Sequence, residues 1–183
     1  MLKSRLCIAF FAFAVGCAPA QKPLTDYVNP MLATLWDSVD LGFKPTKRTW
    51  GAEVFPGSSL PNAMVQVSPV TKFHSGAGYQ YEDSVIYGFT HTNKGHWNLC
   101  HIPLLPVTGT PTPGDYCSPF SHERESAAPG YYQVFLDRYG VDAQLSSTLR
   151  CAFHKYTYPA GAAASLLADL QRSNEHVRAW DIR

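Results

Sequence analysis

The sequence predicts an all-β chain folded as an antiparallel β-sandwich, on three observations. Residues 141–149 alternate: Val141, Ala143, Leu145, Ser147 and Leu149 share one face, and Asp142, Gln144, Ser146 and Thr148 share the other. That period of two marks a strand with one side against a core. Residues 131–136 precede it across Asp137-Arg138-Tyr139-Gly140, where glycine supplies the left-handed conformation of a hairpin turn. The 13 glycines and 14 prolines are spread along all 183 residues, which favours short strands joined by turns over long helices.

From the N-terminus, Lys3 and Arg5 precede an apolar run over 7–15 that is too short to span a bilayer. Ala18-Pro19-Ala20 before Gln21 fits a small-x-small cleavage site, so residues 1–20 read as a signal peptide. Ala14-Val15-Gly16-Cys17 also resembles the bacterial lipoprotein box, with Ala14 where leucine is usual. On that route a lipidated Cys17 tethers the product to a membrane without a spanning helix. Either route exports the chain, to the periplasm or the cell surface, and leaves 21–183 as one domain.

Residues 37–48 are polar and irregular and read as a long loop. A strand is expected over 63–67, with Pro61 before it and Pro69 ending it, and another over 84–90, rich in β-branched and aromatic residues. The apolar run 102–107 is interrupted by prolines and is expected at an edge or boundary. Residues 108–119 are turn material, dense in Gly, Pro and Thr. After the hairpin, 151–158 reads as a strand carrying Phe153, Tyr156 and Tyr158. Residues 162–170 are expected as one more strand, although their alanines favour helix. Val177, Trp180 and Ile182 look core-forming in an element without a stop signal, so the sandwich is expected to be incomplete and the chain a fragment.

The formal net charge of +1 implies neither a nucleic-acid surface nor an acidic partner. Beyond the signal, Cys100, Cys117 and Cys151 allow at most one disulfide and leave a free thiol. Cys100 has the character of a small buried hydrophobe. His91, His96 and His101 recur every five residues, a rhythm that fits neither helical nor loop spacing of zinc ligands. Glu53, Glu82, Asp83, Asp115, Glu123, Glu125, Asp137 and Asp142 are the candidate acids, and nothing selects an acid and a base among them. Ser121-His122-Glu123 has triad residue types, but triad members meet through the fold and not through adjacency. No catalytic and no metal-ligating residue is therefore assigned.

The segment Tyr87-Gly-Phe-Thr-His-Thr-Asn-Lys-Gly-His-Trp-Asn-Leu-Cys100 is the most informative. Pyranose rings stack an apolar face on an aromatic and direct hydroxyls at amides, imidazoles and backbone. Trp97 is either core between the sheets or held for such a ligand. Its polar neighbours would be costly to bury without partners, which favours the ligand.

Several runs together resemble glycoside hydrolase family 92, the exo-acting α-mannosidases. They are Tyr27-Val-Asn-Pro30, Phe55-Pro-Gly57, Leu60-Pro61, Met64-Val-Gln-Val-Ser-Pro69, Gly78-Tyr79 and Ile86-Tyr-Gly-Phe-Thr-His-Thr92. Pro106-Val-Thr-Gly109, Tyr116-Cys-Ser-Pro-Phe-Ser-His-Glu123, Pro129-Gly-Tyr-Tyr132 and Phe153-His-Lys-Tyr156 follow in the same order. Met31-Leu-Ala-Thr34 departs from the Phe-Ile-Gly-Thr usual there, and 93–100 differs from the loop of many relatives. The resemblance implies the N-terminal β-sandwich of a two-domain, inverting glycosidase. The partner it implies is a C-terminal helical toroid carrying the general acid, the general base and a calcium ion, so no cofactor is expected on this chain.

The resemblance also implies that the sandwich contributes one wall of a mannose site. Trp97 would stack on or wall the sugar, His96 and Asn98 would bond its hydroxyls, Cys100 would belong to the same substrate-binding loop, and Gly78 would let backbone come close. The expected ligand is a mannose-containing glycan, with the chain alone inactive. The alternative is a stand-alone exported carbohydrate-binding module without catalytic activity.

Overall fold

The computed structural model describes residues 21–35, 54–94 and 97–181. The signal over 1–20 with Cys17, the loop over 37–48, Glu53, His96 and Ile182 lie outside the described residues. Among the described residues thirteen strands follow a short 3-10 turn at Leu24–Tyr27. They are β1 (Ser58–Ser59), β2 (Gln66–Val70), β3 (Val85–Ile86), β4 (Gly88–Thr90), β5 (Asn93–Lys94), β6 (Trp97–Asn98) and β7 (Leu104–Thr108). Then come β8 (Ser118–Pro119), β9 (Glu125–Ala128), β10 (Tyr131–Leu136), β11 (Val141–Ser147), β12 (Ala152–Thr157) and β13 (Ala164–Ala168).

Two antiparallel sheets carry the fold, one in the order β1-β2-β4-β7-β13 and one in the order β12-β11-β10-β9. Alternation decides which side chains meet between them. Tyr132, Val134 and Leu136 on β10 and Val141, Ala143 and Leu145 on β11 face inward and are buried. Val67, Phe89, Leu105 and Val107 complete the same core from the other sheet. The hairpin closes where the sequence placed it: Leu136 pairs with Val141, Gly140 has φ +64°, and its N–H donates to Leu136 O at 2.8 Å. The sandwich expectation holds, with short two-stranded ribbons β3–β8 and β5–β6 beside the main sheets.

The prolines behave differently from expectation. Pro69 does not end its strand but lies inside β2, paired with Phe89, and the strand runs later than 63–67. β7 is not an edge strand; it lies between β4 and β13 with Pro106 opposite Leu166. In both cases the neighbour on one side has already ended. β1 reaches only to the Ser58–Val67 pair, and β4 meets β7 only at Phe89–Leu104. A missing N–H costs nothing on a side that asks for no ladder bond. The expected strand over 84–90 divides at Tyr87 into β3 and β4, which join different sheets. Residues 162–170 do form a strand, β13, despite their alanines.

A half-buried histidine pair joins the two sheets. His91 Nε2 and His154 Nε2 lie 2.8 Å apart, and His154 Nδ1 is 2.6 Å from Tyr156 Oη. Burial holds both rings below the ordinary imidazole value, and His91 beside it pushes His154 further down, to about 4. The unfolded chain therefore takes up protons that the folded chain refuses once pH falls below 6.5. Stability is expected to be complete above that value and to decline as pH falls toward about 4. Urea midpoints measured across this window should fall with pH in the wild type and change less in His154→Gln. Equal slopes in the two proteins would remove the pair as the cause.

Candidate functional site

The ribbon β5–β6 pairs Asn93 with Asn98 and Lys94 with Trp97. Strand alternation then sends neighbouring side chains to opposite sides. Asn98 is fully buried, whereas Trp97 is 36 % exposed. Trp97 lines an open cavity of about 590 Å³ together with His74, Asn98, Leu99, Asn174 and Glu175.

Asn98 is the fixed point behind that wall. Its Oδ1 accepts from Thr90 Oγ1 at 3.0 Å and from the Cys100 N–H at 2.8 Å, and its N–H donates to Gly76 O at 2.9 Å. Gly78, at φ +77°, leaves room for this amide, because an added Cβ would come within 2.7 Å of Asn98 Nδ2. That nitrogen has no hydrogen-bond partner among the described residues. Cys100 is buried behind the loop at φ +51°, and burial pushes its thiol up to about 12, so it stays protonated at neutral pH. Of the residues selected from the sequence, Trp97 and Asn98 reach the cavity, Gly78 and Cys100 support Asn98 from behind, and His96 lies outside the described residues.

His74, Asn174 and Glu175 escaped the sequence reading. Asn174-Glu175 opens the segment read as an unfinished element, and His74 carried no reading. The one unusual local signal, a left-handed backbone at His74 (φ +59°), is a property of the fold and not of the letters.

The acids are mostly absorbed by structure. Asp83 accepts from Thr71 Oγ1 at 2.7 Å, Asp115 pairs with Arg138, Asp137 with Arg124, and Asp142 takes amide donors from Gln133 and Gln144. The Glu125 carboxylate, 1 % exposed, accepts from Tyr79 and Tyr132 and meets His122 Nδ1 at 2.5 Å. Burial and this neighbouring charge raise the Tyr79 and Tyr132 phenols far above their usual value. His91 and His101 do not converge with Cys100 on an ion: among the described residues no three His, Cys, Asp or Glu side chains are grouped to hold a metal. Cys100, Cys117 and Cys151 are all free thiols.

The cavity is thus bordered by an indole, an imidazole, two amides and a carboxylate, the mixed apolar and polar lining of a small-molecule pocket. The model of the glycosyl hydrolase family 92 N-terminal domain matches residues 27–183. The chain belongs to glycosyl hydrolase family 92. Solved members resemble the family 92 chain over most of its length. The α-mannosidase BT3965 of Bacteroides thetaiotaomicron, solved with mannoimidazole, is 30% identical, with a TM-score of 0.70 over 83% of this chain and 20% of that one. The family 92 hydrolase ccman5 is 29% identical, with a TM-score of 0.64 over 82% and 21% of the two chains. The inverting mannosidase BT2199 of Bacteroides thetaiotaomicron VPI-5482 is 25% identical, with a TM-score of 0.63 over 81% and 20%. The family 92 chain thus spans about a fifth of the length of these relatives. Among curated proteins nothing matches it.

Proposed function

We propose that this chain is the sandwich domain of a calcium-dependent, inverting exo-α-mannosidase acting on the α-mannosides of glycans, and that it supplies one wall of the mannose site. The observation that carries the reading is Trp97, whose indole borders the cavity while its strand neighbour Asn98 anchors the ribbon inside. A pyranose face against that indole gains apolar burial and stacking that a core tryptophan could not offer. Inversion needs two carboxylates far enough apart to admit a water, and Asp83, Asp115, Glu125, Asp137 and Asp142 are each bonded to groups of the fold. The acid, base and calcium are assigned to a helical domain equivalent to the rest of the relatives' length. The described residues offer no metal cluster, and no step on this chain is routed through the ion. The proposal extends to export, with Cys17 as the tether where lipid attachment is used.

Without groups poised at the transition state, a binding wall accelerates nothing. The purified chain is expected to release no mannose from an aryl α-mannoside or α-mannobiose. Measurable release by this polypeptide would refute the division of labour.

A further inference from the structure

We propose that His74 and Glu175 form the polar side of the Trp97 cavity and take the hydroxyls of a neutral pyranoside. The assignment rests on reading that cavity as a sugar site and extends it to two residues from distant parts of the chain. One amide brings them there. Asn174 Oδ1 accepts the His74 N–H at 2.6 Å, Asn174 Nδ2 donates to Asn98 O at 2.7 Å, and the Asn174 N–H donates to Leu99 O at 3.1 Å. Ser173 Oγ donates to Leu99 O at 3.0 Å and accepts the Glu175 N–H at 3.1 Å. Three separate segments are fixed around one opening, which an indole, an imidazole and a carboxylate line together.

His74 keeps a left-handed backbone at this rim (φ +59°), held by Asn174. The Glu175 carboxylate has no hydrogen-bond or ion-pair partner among the described residues. A carboxylate accepts from two adjacent hydroxyls, a neutral imidazole offers one donor and one acceptor, and the indole takes the apolar ring face. Among the described residues no lysine or arginine lines the cavity, so an anionic ligand would meet Glu175 without a counter-charge from them. A neutral polyol with one apolar face fits that chemistry.

The test titrates the full chain with methyl α-mannoside, read by saturation transfer to the sugar and by the Trp97 indole resonance. Wild type, Trp97→Ala, Glu175→Gln and His74→Asn are compared, asparagine being chosen because it tolerates the left-handed backbone. Thermal melts of all four confirm folding. The expected result is weak binding by the wild type, loss in Trp97→Ala, and about fivefold weaker binding in each of the other two. Wild-type affinity in both Glu175→Gln and His74→Asn, with loss in Trp97→Ala, overturns this assignment and leaves the Trp97 reading standing. Undiminished binding in Trp97→Ala, or none by the wild type up to tens of millimolar, overturns the underlying reading as well.

Discussion

Replacing Gly57 with alanine is expected to destabilise the domain by about 3 kcal/mol, more than its size suggests. Gly57 ends Phe55-Pro56-Gly57 and leads directly into β1. An added Cβ would lie 1.8 Å from the Val67 carbonyl oxygen and 2.8 Å from the Ser68 Cα. Both are backbone atoms of β2, so no side chain can swing away, and β1 must separate from β2. Ser58 would follow, and with it the buried contact between Ser58 Oγ and Ser147 Oγ at 2.7 Å that ties this edge to β11. Gly130→Ala is the control. Gly130 has φ +78° with nothing near an added Cβ, so only backbone strain of about 1 kcal/mol is expected there. Urea unfolding should show a much larger midpoint drop for Gly57→Ala than for Gly130→Ala at similar slope. Equal drops would show that close approach at Gly57 is unimportant.

The contrast between the two glycines also explains what could be read in advance. The β10–β11 hairpin was legible because alternation and a turn glycine are properties of neighbouring letters. Tyr132, Val134 and Leu136 had to share a face whatever lay opposite. The prolines misled because tolerance of Pro69 and Pro106 depends on where β1 and β4 stop, which no local pattern records. The division of 84–90 at Tyr87 follows the same logic, since β3 leaves to pair with β8.

The site divides likewise. Trp97 and Asn98 stood out because an indole among amides in a loop is chemically conspicuous. His74 and Glu175 did not, because their relevance comes from Asn174, a single amide bridging segments far apart in sequence. Gly78 drew notice for closeness to a ligand, whereas the space at its Cα is filled by the Asn98 amide. Residue type announced chemistry, and only packing announced whom each residue serves.

Glu125→Leu is expected to cost about 3–5 kcal/mol, the second large effect. Tyr79 and Tyr132, both in the core cluster, donate to this carboxylate, Tyr132 at 2.6 Å. His122 Nε2 lies 2.7 Å from the Tyr81 carbonyl, which can only accept, and its Nδ1 lies 2.5 Å from Glu125 Oε2. The His122 ring also stacks on Tyr81 at 3.9 Å. Leucine would leave two phenol donors and an imidazole facing an apolar group, each short of a partner. Glu125→Gln keeps an acceptor for the phenols and a polar group beside His122 Nδ1, so a cost of about 1 kcal/mol is expected. The difference reaches the site because Tyr79 follows Gly78, on which Asn98 and hence Trp97 are seated. Denaturant unfolding of both variants measures the cost, and the Trp97 indole resonance reads its transmission. Glu125→Leu as stable as Glu125→Gln would mean that the buried carboxylate serves neither fold nor cavity.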